Sequence, residues 1–172
     1  MVHGSVNFKE SQRLTPFLTV PSVLFFVGLA VYLAAVQLIG GTPVGDSPAS
    51  DGELVFLILL TGLGLPALLL GTRMTTTVDQ TELVVRFFPF KTLRVPLLEI
   101  DSYWVRNYHW LKDYGGIGIR RGLDGWAYIM RGDQGVQVQR RGGSRVLIGT
   151  QKPDELIQAL RMVTGLQAGD QK

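Results

Sequence analysis

The sequence predicts a mixed α+β protein, in which a membrane hairpin of two helices is followed by a β-rich domain closed by one C-terminal helix. Two long segments within the first 72 residues contain no charged side chain. After residue 73 the sequence changes to short segments rich in Val, Thr and aromatic residues, separated by Gly and Pro, which is typical of β-strands. Near the C-terminus, apolar residues repeat at the spacing of one helix face, at Leu156, Ile157, Leu160 and Val163.

The two uncharged segments have the length of membrane-spanning helices. They cover residues 17–39 and 54–72, and at a rise of about 1.5 Å per residue they reach about 34 Å and about 28 Å. The hydrocarbon core of a bilayer is about 30 Å thick. Neither segment contains an ionisable group of the kind that marks an ion or proton path.

Local signals indicate where these helices begin and bend. Thr15 and Pro16 suit the start of the first helix, although a regular helix could also begin near Pro21. The second helix is expected to begin near Asp51, and Pro66 predicts a kink inside it. Small residues at positions 30 and 34 suit close helix packing, either against the other helix or against another subunit.

The chain divides into three parts by composition. Residues 1–14 are a polar lead-in, interfacial or disordered, and residues 15–72 hold the two helices with a short acidic loop at 40–53. Residues 73–172 form the β-rich domain, with 15 Lys and Arg against 10 Asp and Glu. Basic residues near membrane segments are retained in the cytoplasm. The sequence therefore predicts a multi-pass protein of the cell (inner) membrane with both termini cytoplasmic.

Within the β-rich domain, turn residues separate six or seven expected antiparallel strands. Residues 74–79 and 82–88 predict a hairpin, and further strands are expected at 98–108, 126–130, 135–140 and 144–148. Residues 115–125 contain five glycines and are expected to be irregular. Pro153 suits the first position of the final helix, and Gly165 its end.

These elements resemble the pleckstrin-homology-like (PH-like) fold. The glycine-rich run at residues 114–120, Gly-Trp-Ala-Tyr at 125–128, Gly-Val at 135–136 and Ile-Gly-Thr-Gln-Lys-Pro at 148–153 resemble small bacterial membrane proteins of a mostly uncharacterised family. Those proteins have a two-helix transmembrane hairpin followed by a PH-like domain. The resemblance implies a β-rich barrel closed by the C-terminal helix. The turn at residues 79–82 is acidic, which disfavours phosphoinositide binding of the eukaryotic PH type.

No combination of residues predicts catalysis, a cofactor or a metal site. The chain has no cysteine, which excludes thiolate zinc and iron–sulfur sites, and His3 and His109 do not have the spacing of a ligand pair. Glu99 and Asp101 share a strand face, but a solvated edge is the favoured interpretation. The glycine patterns near residues 62 and 116 do not open a βαβ unit. We therefore expect no enzymatic activity and identify no small-molecule substrate.

Basic and aromatic residues are the candidates for contact with lipid or a partner. The basic candidates are Arg120, Arg121, Arg140, Arg141 and Arg145. The last three surround one predicted hairpin turn, which suits either an anionic lipid surface or ordinary solvent exposure. Trp104 and Trp110, on one face of a predicted strand with Arg106 and Tyr108, suit either the core or an interface. Nucleic acid is not expected, because acidic residues are interspersed and no recognition helix is visible.

These features together favour a non-enzymatic, membrane-tethered interaction or scaffold module that binds a protein partner or itself. The alternative is a membrane protein that senses anionic lipid through the arginine-rich hairpin. A role as accessory subunit of a transport complex is less favoured, because both spans lack charged groups.

Overall fold

A computed structural model describes residues 6–42, 49–122 and 124–169 of the chain. The described parts of residues 1–13 and 73–172 form one compact unit, called the β unit below. Those of residues 14–72 form a second, helical unit. The N-terminal segment therefore belongs to the same unit as the C-terminal hundred residues.

The helical unit contains two helices that are long and apolar enough to span a membrane, Pro16–Ile39 and Asp51–Gly71. Helix α1 is Pro16–Leu33 and continues as a π-helix over Ala34–Ile39. The other helix comprises α2 (Asp51–Leu59), a π-helical stretch (Leu60–Gly64) and α3 (Leu65–Gly71).

The helix starts follow from their capping residues. Pro16 occupies the first turn of α1 after an extended Thr15, so the helix begins there and not at Pro21. The second helix is capped by Ser50, one residue before the Asp51 that the sequence indicated. Ser50 and Glu53 form a capping box, with the Ser50 N–H donating to Glu53 Oε2 at 2.9 Å.

The irregular part of the second helix ends at Gly64, two positions before Pro66. Pro66 has no N–H to donate to the carbonyl of Gly62, and the π-helical stretch accommodates the missing bond. A Cβ atom added at Gly62 would lie 2.9 Å from the Cβ atom of Ala30. Of the two arrangements that the small residues allow, Ala30 therefore adopts packing against the second helix.

The β unit contains nine strands in two sheets. The first sheet has the order β1-β2-β3-β4, with bounds Phe8–Arg13, Arg73–Val78, Glu82–Phe88 and Lys91–Pro96. The second has the order β5-β8-β9-β7-β6. In chain order, β5 to β9 are Ile100–Asn107, Gly118–Gly122, Gly125–Ile129, Gln134–Arg140 and Arg145–Gly149.

The N-terminal segment differs from its prediction as a polar lead-in. Residues 8–13 form β1 and pair with β2 along its length, from Phe8 opposite Val78 to Arg13 opposite Arg73. Glu10 and Gln12 are buried although they are polar. Polar atoms of both side chains form hydrogen bonds. Gln12 Nε2 donates to the Gly149 carbonyl, and Glu10 Oε1 accepts from the Gln151 N–H. The prediction failed because the partners of this strand are distant in sequence.

The prediction of one closed antiparallel barrel also needs correction. The strands form two sheets that do not close into a barrel, and β7 pairs with β9 in parallel. This parallel pair arises because β9 lies between β7 and β8, which are neighbours in sequence. Strands β4 and β6 were missed because they contain Pro or Gly, which edge strands tolerate.

The C-terminal helix α4, Pro153–Thr164, agrees with its prediction. Pro153 lies in the first turn, and Gly165 ends the helix with φ of 69°. Leu156, Ala159 and Leu160 are buried, and the helix contacts strands of both sheets. Its apolar face is therefore part of the core of the β unit.

Candidate interaction surface

The predicted arginines do not form one cluster, and Arg120 and Arg140 are engaged in separate contacts of the β unit. Arg120 Nε donates to the Ile117 carbonyl at 3.0 Å, next to the glycine-rich segment. Arg140 pairs with Glu99. These two guanidinium groups are therefore occupied within the β unit.

A different set of the predicted residues meets at one groove. Arg121 and Arg145 line it with Asp124 and Trp126, and the groove has a volume of about 450 Å³. Gly125, Gly143 and Ser144 complete its walls. We call this feature the Arg–Trp groove. It is built where the turn between β6 and β7 meets the turn between β8 and β9.

Gly125 makes this meeting of two turns feasible. Its φ is 111°, a conformation that other residues rarely adopt. A Cβ atom here would lie 2.2 Å from the carbonyl oxygen of Arg145. The backbone of β7 therefore approaches β9 more closely than any side chain would allow, and this approach places Trp126 beside Arg145.

Several contacts hold the cation of Arg145 at the groove. Asp124 lies 2.8 Å from Arg106 and 4.0 Å from Arg145, measured between carboxylate oxygen and guanidinium nitrogen. Arg145 Nε donates to Gln139 Oε1 at 3.1 Å, and its guanidinium lies 5.9 Å from the ring centroid of Trp104. Trp104 is half-buried, and its ring holds the Arg145 guanidinium through a cation–π contact.

Arg121 and Trp126 are the more available groups of the groove. Arg121 is exposed and forms no ion pair within the described residues. Trp126 is 45% exposed, and Lys91 Nζ of the first sheet lies 5.5 Å from its ring centroid. An exposed indole beside two arginines is suited to contact a partner that is partly apolar and partly acidic.

The aromatic residues after Trp104 divide between core and surface. Strand β5 ends at Asn107, so Tyr108 and Trp110 do not continue its face as the sequence suggested. Tyr108 and Tyr114 pack with Ala127, Ile129 and Leu147. Burial raises the pKa of both phenols, which keeps them neutral.

Trp110 and Arg141 lie outside the Arg–Trp groove. Trp110 is 37% exposed and stacks on His109 with 6.3 Å between ring centroids. Arg141 is exposed, and its backbone N–H donates to the Glu99 carbonyl at 2.8 Å. Among the residues that the structure describes, no group of three His, Cys, Asp or Glu is placed to hold a metal ion.

Sequence reasoning missed Asp124 and Trp126 as groove residues, and it missed a second basic surface entirely. In the sequence, Trp126 is an aromatic residue next to glycine, and Asp124 carries no signal for a groove. The second surface is a depression of about 400 Å³ on the first sheet, lined by Lys9, Ser11, Arg73, Thr75, Thr77, Val84 and Arg86. Its signal in the sequence is the alternation of Lys9, Ser11 and Arg13, which lies in the segment predicted to be a polar lead-in.

Residues 2–165 match a family described as "Family of unknown function (DUF6141)". No curated protein matches the sequence.

Proposed function

Since the chain belongs to DUF6141, a family of unknown function, we propose a function from its own geometry: it is a non-enzymatic, membrane-anchored module that binds a protein partner. The observation that carries this proposal is the exposed Trp126 in a groove with Arg121 and Arg145.

The two apolar helices support membrane anchoring. Little of either helix is buried, in contrast to a core helix of a soluble protein. Side chains such as Phe17, Leu24 and Phe25 are largely exposed, which suits lipid and not water. Hydroxyl groups are satisfied within the helices, since Ser22 and Thr61 donate to carbonyls four residues earlier.

Charge favours a multi-pass membrane protein with both termini in the cytoplasm, and the resemblance to small bacterial membrane proteins favours a bacterial cell membrane. Lys9 and Arg13 precede the first helix and Arg73 follows the second. The charged residues of the linking segment, residues 40–53, are all acidic. The β unit would then be cytoplasmic. Its two sheets with a C-terminal helix packed on both suit a PH-like interaction module.

The chemistry of the groove favours a protein partner. Trp and Arg are enriched among the residues that dominate protein interfaces, because they combine large contact area with hydrogen bonding. The expected partner offers an apolar side chain to Trp126 and a carboxylate to Arg121. Arg145 is held in place by its neighbours and needs little ordering on binding.

The alternative of lipid sensing through the arginine-rich hairpin receives less support. Arg140 is paired with Glu99, and Arg145 is held by Gln139 and Asp124. Arg141 is then the member of the hairpin with no ion pair in the described part of the chain. We therefore consider the hairpin a weaker candidate for the binding site than the groove. The accessory transport role is weaker than both.

The test is crosslinking and co-purification of the full chain from native membranes. We expect a specific partner, and we expect Trp126→Ala or Arg121→Ala to reduce its recovery about tenfold or more. Leu98→Ala and Arg161→Gln are matched controls, since both residues are exposed and lie away from the groove. Equal recovery with all four variants, or no specific partner, would contradict the proposal.

A further inference from the structure

The outer face of the first sheet carries cations and hydroxyls, and the acid that its strands place on this face, Glu82, lies at the start of β3. Residues opposite each other in a ladder lie on the same face, so Lys9, Thr77 and Val84 form one row and Ser11, Thr75 and Arg86 form the next. Arg13 and Arg73 form a third row. The nearest acidic residue on β3, Glu82, is paired with Arg94. We call Lys9, Arg13, Arg73 and Arg86 the basic face.

An exposed aromatic turn lies at one end of this face. The turn between β3 and β4 is tight, since the Phe90 N–H donates to the Phe87 carbonyl at 2.8 Å. Phe88 is 47% exposed and Phe90 is 63% exposed. The guanidinium of Arg73 lies 5.5 Å from the ring centroid of Phe88. Two exposed apolar rings therefore lie beside the basic face.

Chain connectivity relates this turn to the apolar helices. Phe88 lies opposite Arg73 in the ladder, and Arg73 lies opposite Arg13. Arg13 is three positions before the start of α1 at Pro16, and Arg73 is two positions after the end of α3 at Gly71. Three residues of chain span at most about 11 Å, and neighbouring strands lie about 4.8 Å apart. The aromatic turn is therefore at the end of the sheet that continues into both apolar helices.

We propose that this end of the first sheet docks on the anionic surface of the membrane that the helices span. Phe88 and Phe90 enter the headgroup region, and the basic face binds lipid phosphates. The inference rests on the membrane anchoring in the proposed function, and it is independent of the Arg–Trp groove. Its effect is to hold the β unit against the bilayer in one orientation.

Charge and continuity favour a lipid surface over a protein as the occupant. Surfaces that combine Phe with Lys or Arg bind anionic membrane interfaces in two ways. The apolar rings are buried among the lipids, and the cations are attracted to the anionic headgroups. The hydroxyls of Ser11, Thr75 and Thr77 add donors of the kind that bind phosphate oxygens. A bilayer is also the one partner that the chain itself keeps within a few residues of this site.

The chain has no cysteine, so single labels test the inference directly on the full protein. Phe90→Cys and, as a control, Gln80→Cys carry an environment-sensitive fluorophore. Gln80 lies in the turn between β2 and β3, at the opposite end of the same sheet. The proteins are reconstituted in vesicles of phosphatidylcholine with or without phosphatidylglycerol.

We expect a lipid-attached quencher to reduce the signal at position 90 several-fold more than at position 80. The difference should grow with phosphatidylglycerol. Equal quenching at both positions by a water-soluble quencher would overturn the inference. Loss of protection at position 90 on dilution of the protein in lipid would also overturn it, because a second copy would then be the occupant.

Charge variants test the basic face separately. In vesicles with phosphatidylglycerol, Lys9→Gln with Arg86→Gln should move the label at position 90 toward water, whereas Lys112→Gln with Arg131→Gln should not. An unchanged label in the first pair would overturn binding of lipid phosphate by this face.

Extraction by alkaline carbonate separates the two proposals. A chain that is extracted lacks the membrane anchor, which overturns both. A chain that resists extraction but has a water-exposed label at position 90 overturns docking alone, while partner capture through Trp126 stays intact.

Discussion

Glu10 is a carboxylate that the protein buries between its first strand and the residues after β9. Its oxygens accept from the Thr150 hydroxyl and from the Gln151 N–H. Thr150 is itself buried. A buried donor that loses its acceptor costs the free energy of its desolvation. Glu10 therefore stabilises the packing of β1 against the residues that follow β9.

We predict that Glu10→Ala lowers the free energy of unfolding of the β unit by about 1–3 kcal/mol, because two donors lose their acceptor. Ser11→Ala is the matched control, since Ser11 is exposed and its hydroxyl contacts Thr75 at 3.3 Å. The control should change stability by less than about 0.5 kcal/mol. Denaturant unfolding of the full chain in detergent, followed by tryptophan fluorescence, measures both. Equal effects would contradict the role given to Glu10.

Gly62 is the residue that lets the two apolar helices approach each other. We predict that Gly62→Ala lowers the stability of the helical unit by about 1–3 kcal/mol, because its Cβ would be 2.9 Å from that of Ala30. Gly28→Ala is the control, since nothing lies within 4 Å of its added Cβ. That variant should be neutral or stabilising, because Ala favours helices over Gly. Circular dichroism during titration with a denaturing detergent measures the difference, and similar losses in both variants would refute this packing role.

At the scale of elements, β1 shows how far the partners of a strand can lie from it in sequence. Its inward side carries Phe8, Glu10 and Gln12, only one of which is apolar. Period-2 hydrophobicity therefore gives no signal here. The strand exists because β2 pairs with it and because Gly149, Thr150 and Gln151 satisfy its polar side chains.

The same pairing makes the helical unit an insertion in a β-hairpin. Because Arg13 lies opposite Arg73, we predict that a short Asn-Gly turn can replace residues 14–72 and leave a soluble, monomeric β unit. A chain of residues 73–172 alone should aggregate or unfold, because β2 becomes an open edge and because residues 149–151 lose the hydrogen bonds made by Glu10 and Gln12. Size-exclusion chromatography and thermal unfolding distinguish the two. Comparable stability of both chains would show that β1 is dispensable.

For the whole molecule, the division into two units separates the apolar helices from the two candidate binding surfaces. The helical unit supplies the apolar length that membrane anchoring requires. The β unit supplies the Arg–Trp groove on its second sheet and the basic face on its first. One surface is proposed for a protein partner and the other for lipid, so variants in one should leave the other unchanged.

The sequence alone determined the features that local signals control. The apolar helices follow from uninterrupted hydrophobicity, the hairpin of β2 and β3 from a short turn, and α4 (Pro153–Thr164) from its helix caps. Each of these signals lies within one segment of the chain, so no distant residue is needed to interpret it.

Tertiary structure alone decided which distant residues meet. It placed β9 between β7 and β8, made β1 part of the first sheet, and separated Arg140 from Arg121 and Arg145. Asp124 and Trp126 became groove residues only because Gly125 brings β7 against β9. The physical reason is that strand pairing is nonlocal: backbone hydrogen bonds can join any two extended segments, and burial of the whole core selects among them.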